Sequence, residues 1–143
     1  MKVFVDTWGW ISLYNKREAR HHEVKDFYSE IRSKGYQIHT SDYVLDETFT
    51  LLFRRSPFKQ AVIAMKTLIE ANEKDYLFIH HIDIGRFESA LERRLRYEDK
   101  PLISFTDLTS MVVMQELAID SIMTADAHFS HVEPDFRLVP SAD

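Results

Sequence analysis

Short apolar runs suited to strands alternate along this chain with longer stretches suited to helices. No other feature narrows the possible folds as much. Lys2 to Val5, Tyr36 to His39, Tyr76 to His80 and Ser121 to Met123 are rich in β-branched, aromatic or apolar residues and read as strands. Phe136 to Val139 reads as a short fifth, at an edge because Pro140 ends it. Between them lie Trp8 to Tyr14, Arg20 to Ser33, Asp42 to Arg54, Pro57 to about Glu73, Asp83 to Tyr97 and Phe105 to Leu117, all read as helices. Val24, Phe27, Tyr28 and Ile31 share one face of the second helix, and Gly35 is suited to its C-terminal turn. Phe105 to Leu117 is apolar nearly all round and predicts a buried helix. Strands alternating with helices imply a mainly parallel sheet of four to five strands with helices on both faces. Ligands of such sheets bind beyond the carboxyl ends of the strands.

Composition closes several other routes. At 143 residues and 45% hydrophobic, the chain is expected to form a single domain over residues 1–143 with a real core. It has no cysteine, hence no disulfide framework and no thiolate zinc site, which fits a reducing, cytoplasmic setting. The opening Met-Lys-Val-Phe-Val-Asp meets a charge too early for a secretory signal, and no apolar run is long enough for a bilayer, so no membrane partner is expected. Three glycines leave neither a phosphate-cradling loop nor a dinucleotide fingerprint. Trp8 stands where an aspartyl phosphatase would want its second acid. The formal net charge of −5 argues against long-range attraction to nucleic acid, although a bound cation can reverse the sign locally.

Four acids stand where a strand should end or a helix should begin: Asp6, Glu47, Asp107 and Asp126. Converging carboxylates repel one another unless a cation sits between them, so the group is a candidate divalent-metal site. Each acid also has an ordinary reading. Asp6 and Asp126 suit helix caps, Ser104 to Asp107 has capping-box spacing, and Glu47 suits an exposed helix position beside Asp46. Against this, Glu47 is flanked by Leu45, Thr48 and Leu51, and Asp107 is followed by Met111 and Val112. A carboxylate beside an apolar face is costly unless paired or bound to a metal. Mg²⁺ takes oxygen ligands and keeps several waters, and a metal-activated water can cleave a phosphodiester. Thr124 and Ser104 could orient a carboxylate or a water, or could simply cap.

In their order and surroundings these motifs resemble the PIN-domain ribonucleases, in particular the VapC-like toxins of toxin–antitoxin pairs. Val-Phe-Val-Asp6-Thr matches the opening strand and its acid. Ser41-Asp-Tyr-Val-Leu-Asp-Glu47 matches the serine, apolar pair and helical glutamate. Phe105-Thr-Asp107 matches the third acid, and Thr124-Ala-Asp126-Ala-His-Phe129 the C-terminal signature. The resemblance runs from Met1 to about Pro140. It implies a three-layer α/β/α sandwich, an active site using Mg²⁺ or Mn²⁺, single-stranded RNA as substrate, a homodimer and a small antitoxin partner. It also implies Asp6, Glu47, Asp107 and Asp126 as catalytic and metal-binding residues. Asp6 and Asp126 are the first choices for direct ligands, with Glu47 and Asp107 acting partly through waters. Asp46 departs from the usual residue beside the glutamate; Glu47 is preferred because it keeps helical spacing with Val44 and Leu51.

Arg54, Arg55, Trp8 and His128 are further candidates for touching RNA, through phosphate contact, base stacking or proton transfer. Trp8 and Trp10 equally suit the core. Arg93 to Arg96 reads better as a solvated face paired with Glu88, Glu92 and Glu98. The competing reading is a catalytically inactive PIN-like domain that binds RNA or docks a protein.

Overall fold

A computed structural model describes residues 1–132 and 136–141. Its five strands form a single sheet in the order β3-β2-β1-β4-β5. They are β1 Lys2–Val5, β2 Gln37–Ser41, β3 Phe78–His80, β4 Ser121–Met123 and β5 Arg137–Val139, and every adjacent pair is parallel. The helices are α1 Thr7–Tyr14, α2 His21–Ser33, α3 Asp42–Arg55, α4 Phe58–Glu73, α5 Ile84–Arg96 and α6 Phe105–Glu116. A short 3-10 turn, Ala127–Ser130, follows β4.

The sheet separates two helical layers. On one face the Trp10 indole of α1 donates to Thr40 Oγ1 at 3.1 Å, and Thr40 in turn donates to the Val5 carbonyl. On the other, Lys2 donates to the Leu117 carbonyl just beyond α6, and α5 is tied to α6 by the Arg86–Glu116 ion pair. Phe4, Ile38, Leu108, Met111 and Ile122 are fully buried, as a sheet covered on both faces requires. Gly9 lets α1 lie directly on the sheet: a Cβ there would meet Val5 Cγ1 at 2.8 Å and the Met123 carbonyl at 2.9 Å.

Strand β2 lies later than its sequence pattern predicts. Thr40 and Ser41 look like turn residues, but Thr40 is satisfied inside the sheet and Ser41 Oγ accepts from the Val44 amide as the N-cap of α3. At Gly35, with φ 75°, α2 ends in the expected left-handed turn: Gly35 N–H donates to the Arg32 carbonyl and Tyr36 N–H to that of Ile31. Pro57 is the N-cap residue of α4 rather than part of its first turn.

The Arg93–Arg96 segment departs from the solvated face expected of it. Arg93 is buried, and Arg94 donates to the carbonyls of Tyr97, Lys100 and Ile103 at 2.6–2.7 Å. Among the described residues, none of Glu88, Glu92 and Glu98 pairs with these arginines. A guanidinium carries several donors in a fixed fork, so Arg94 can hold three carbonyls of this connection at once, two of which also accept backbone N–H groups. That connection leads into Ser104 and the start of α6.

Candidate active site

The chain leaves β1 toward β2 on one side and reaches β4 on the other, so β1 and β4 flank the switch point of the sheet. Register pairs Val5 with Met123. The next residue on each strand is therefore also a neighbour: Thr124 Oγ1 donates to Asp6 Oδ2 at 2.9 Å, and Asp6 N–H donates to the Met123 carbonyl. Thr124 also accepts from the Asp126 amide at 3.1 Å. One hydroxyl thus links the two acids.

Asp6 is the N-cap residue of α1 but makes no side-chain capping bond. It is only 8% exposed. Burial pushes its carboxyl up to about 6. The Thr7 amide and the Thr124 hydroxyl favour the charged form, while Glu47 and Asp126 oppose it. Asp107 is equally buried, in the first turn of α6. Burial first, then Asp6 and Asp126, push it up to about 7 despite the helix N-terminus at its back and a hydrogen bond with Ser104. The capping box is half made, with Ser104 Oγ accepting from the Asp107 amide at 3.0 Å. The Asp107 carboxyl meets both the Ser104 hydroxyl and Asp126.

Asp126 is half-buried and does cap its turn, its Oδ1 accepting from the His128 amide at 2.9 Å. One ligand atom from each of Asp107, Asp126 and His128 lies within 4.8 Å of the others. Among the described residues, no other trio of acids or histidines meets that separation, so Asp6 stands beside this group rather than in it. Glu47 is exposed, not at the edge of a buried face, yet it lines the same cleft and its charge reaches Asp6. Asp46 is exposed and away from the cleft.

The cleft has a volume of ≈ 450 Å³ and also takes in Trp8, Ser104, Thr124 and Arg55. Arg54 does not line it. Trp8 is half-buried, with the Arg20 guanidinium 5.0 Å from its ring centroid, whereas Trp10 is fully buried core. Glu18 and Leu102 complete the rim. Sequence reasoning missed both because neither belongs to a periodic element or a motif. His80 and His81 part company as their alternation requires: His80 meets His39 at 2.8 Å, and His81 meets Asp42 at 2.6 Å.

Two buried carboxyls raised well above their ordinary range, one at the end of β1 and one in the first turn of α6, thus share a cleft with Asp126. Residues 3–133 match the PIN domain, and the chain belongs to that family. The 23S rRNA-specific endonuclease VapC20, in two strains of Mycobacterium tuberculosis, is 34% identical over 128 residues, covering 90% of this chain and 92% of that protein. The crystal structure of M. tuberculosis VapC20, described as a sarcin–ricin loop cleaving toxin, matches with a TM-score of 0.77 at 32% identity, over 90% of this chain and 93% of that one. VapBC2 from Rickettsia felis, bound to a DNA fragment from the promoter, shares the fold at a TM-score of 0.72 and 19% identity, over 96% and 97% of the two chains.

Proposed function

We propose that this chain is a Mg²⁺- or Mn²⁺-dependent endoribonuclease and the toxin of a toxin–antitoxin pair. The observation that carries the reading is the burial of Asp6 and Asp107 beside Asp126 in one cleft. Raised carboxyls of this kind are costly as anions and become favourable when a cation neutralises them. The donor set fits a hard divalent ion: carboxylate oxygens from Asp107, Asp126 and Asp6, with Glu47 at the rim, and a buried His128 Nδ1 without a hydrogen-bond partner. Such an ion, when bound, would polarise a phosphoryl oxygen and lower the pKa of a coordinated water.

The protein's own part is positioning. Thr124 fixes Asp6 and the Asp126 backbone together, and the His128 amide fixes Asp126 Oδ1. Ser104 and the Arg94-held connection set the first turn of α6, and so the Asp107 carboxyl. Glu47 is an exposed carboxylate on the same cleft as Asp6, open to a water or a substrate there. Arg55 is a cation at the cleft rim suited to a substrate phosphate, and Trp8 offers a ring face to an unstacked base.

The substrate class is single-stranded or looped RNA, supported by the similarity to a 23S rRNA-specific endonuclease. A homodimer and a small antitoxin are the partners. Exposed Phe58, Ile63, Leu95 and Leu102 give apolar surface for such contacts. No helix of the described residues is long and apolar enough to cross a membrane, and a cytoplasmic setting suits an RNA substrate. The deciding experiment is cleavage of labelled RNA in Mg²⁺ or Mn²⁺ by the wild type and Asp6→Asn. Cleavage is expected in the first and lost in the second. An inactive wild type would leave the fold as a binding module, and a fully active variant would overturn the catalytic role given to Asp6.

A further inference from the structure

The least explained atom near the cleft is His128 Nδ1. It is buried and has no hydrogen-bond partner, although it lies 3.0 Å from Asp126 Oδ1. The two atoms are within ion-pair range but out of line for an N–H···O bond. Asp126 Oδ1 is meanwhile taken up by the His128 backbone amide at 2.9 Å. A protonated Nδ1 would aim its hydrogen away from that oxygen. An unprotonated Nδ1 would hold a lone pair without a donor, beside the Asp126 carboxylate.

The separation itself is informative. Adjacent ligands of an octahedral ion with bonds of about 2.1 Å lie roughly 3.0 Å apart. Nδ1 and Asp126 Oδ1 are 3.0 Å apart, and one ligand atom from each of Asp107, Asp126 and His128 lies within 4.8 Å of the others. The 3-10 turn explains how sequence produces this. Asp126 caps the turn, so the residue two positions on is folded back over its carboxylate.

We infer that His128 is a direct nitrogen ligand of the ion held by Asp107 and Asp126, and that it biases the site toward first-row transition ions over Mg²⁺. Imidazole binds such ions well, whereas Mg²⁺ strongly prefers oxygen. The inference rests on the metal-dependent reading above and goes beyond it by naming a ligand outside the acid set and a preference among ions.

The test is pulsed EPR of Mn²⁺ added to the full chain, with Mg²⁺ competition. The wild type should bind Mn²⁺ and show the ¹⁴N coupling of a directly bound imidazole. His128→Gln should still bind but lose the coupling, because an amide ligates through oxygen. Its Mn²⁺ affinity should fall at least the roughly tenfold that loss of even an outer-shell partner costs, and its Mg²⁺ affinity should fall less. His80→Gln should keep the coupling. Circular dichroism checks that both variants fold, and the wild-type spectrum alone already tests ligation. Bound Mn²⁺ without ¹⁴N coupling, or coupling that survives in His128→Gln, overturns the inference and leaves the acid site standing. Equal losses for both ions overturn the selectivity. Failure of the wild type to bind either ion overturns the metal reading as well.

Discussion

Asp6 and Asp83 hold the same station, the N-cap residue of a helix, and their side chains behave in opposite ways. Asp83 is exposed, and its Oδ1 accepts from the Arg86 amide at 2.9 Å, an ordinary cap for α5. Asp6 makes no capping bond, is buried, and receives the Thr124 hydroxyl from the neighbouring strand end. Local sequence does not separate them, since each is an aspartate at a helix start. What differs is the position in the sheet. Asp6 follows β1 at the switch point, with the first turn of α6 nearby, while Asp83 follows the edge strand β3 after a short connection. An acid satisfied as a cap keeps its charge at little cost; an acid withdrawn from both water and capping carries it at a penalty that a proton or a cation would relieve.

The largest expected contrast is catalytic. Asp6→Asn should lower RNA cleavage about a thousandfold or more, the loss of roughly 4 kcal/mol of transition-state stabilisation. Asp83→Asn should leave the rate unchanged in the same fluorogenic RNA assay. Equal losses in the two variants would erase the distinction drawn between them.

Stability against pH comes next. Asp6 and Asp107 titrate higher in the folded protein, about 6 and about 7, than an ordinary carboxyl does. Between about pH 4 and pH 7 the folded state therefore holds more protons than the unfolded state. Stability from these groups is fully present at the acid end and is lost as pH rises. For Asp6 the loss is about 3 kcal/mol. Urea melts in chelator should show the decline, a saturating divalent cation should offset it, and Asp6→Asn should flatten it. Asp83→Asn should leave the profile as it is.

Thr124→Val sharpens the comparison by making the Asp6 site poorer still. Removing a hydrogen bond to a buried carboxylate should cost about 2 kcal/mol at pH 8, with weaker cation binding by calorimetry. The smallest effect belongs to Asp83→Ala, about 1 kcal/mol from the lost cap, with cation affinity unmoved.

Much of the fold was legible. Periodicity and capping residues place most helix ends within a residue or two, because caps and apolar spacing are local properties. Ser41 at α3 and Ser104 at α6 make the capping bonds their types suggest. The candidate site was legible as a group of acids in order, but not in its internal ranking. Glu47 was expected beside a buried face and is exposed. Asp107 had capping-box spacing with Ser104, and its carboxylate is grouped with Asp126 and His128. Arg93 and Arg94 read as a surface charge run because a guanidinium can bury its stem or satisfy backbone carbonyls, and sequence does not say which.

The sequence by itself determined the alternation of strands and helices, the parallel sheet that follows from it, and the acids at the element ends. These rest on local propensity and period. Only the tertiary structure decided which acids share one environment. Asp6 meets Thr124 because β1 and β4 are neighbours in register, across a separation of 118 residues in the chain. Burial, mutual repulsion and the aim of His128 Nδ1 all depend on distances through space, and those exist only once the sheet has brought its strand ends together.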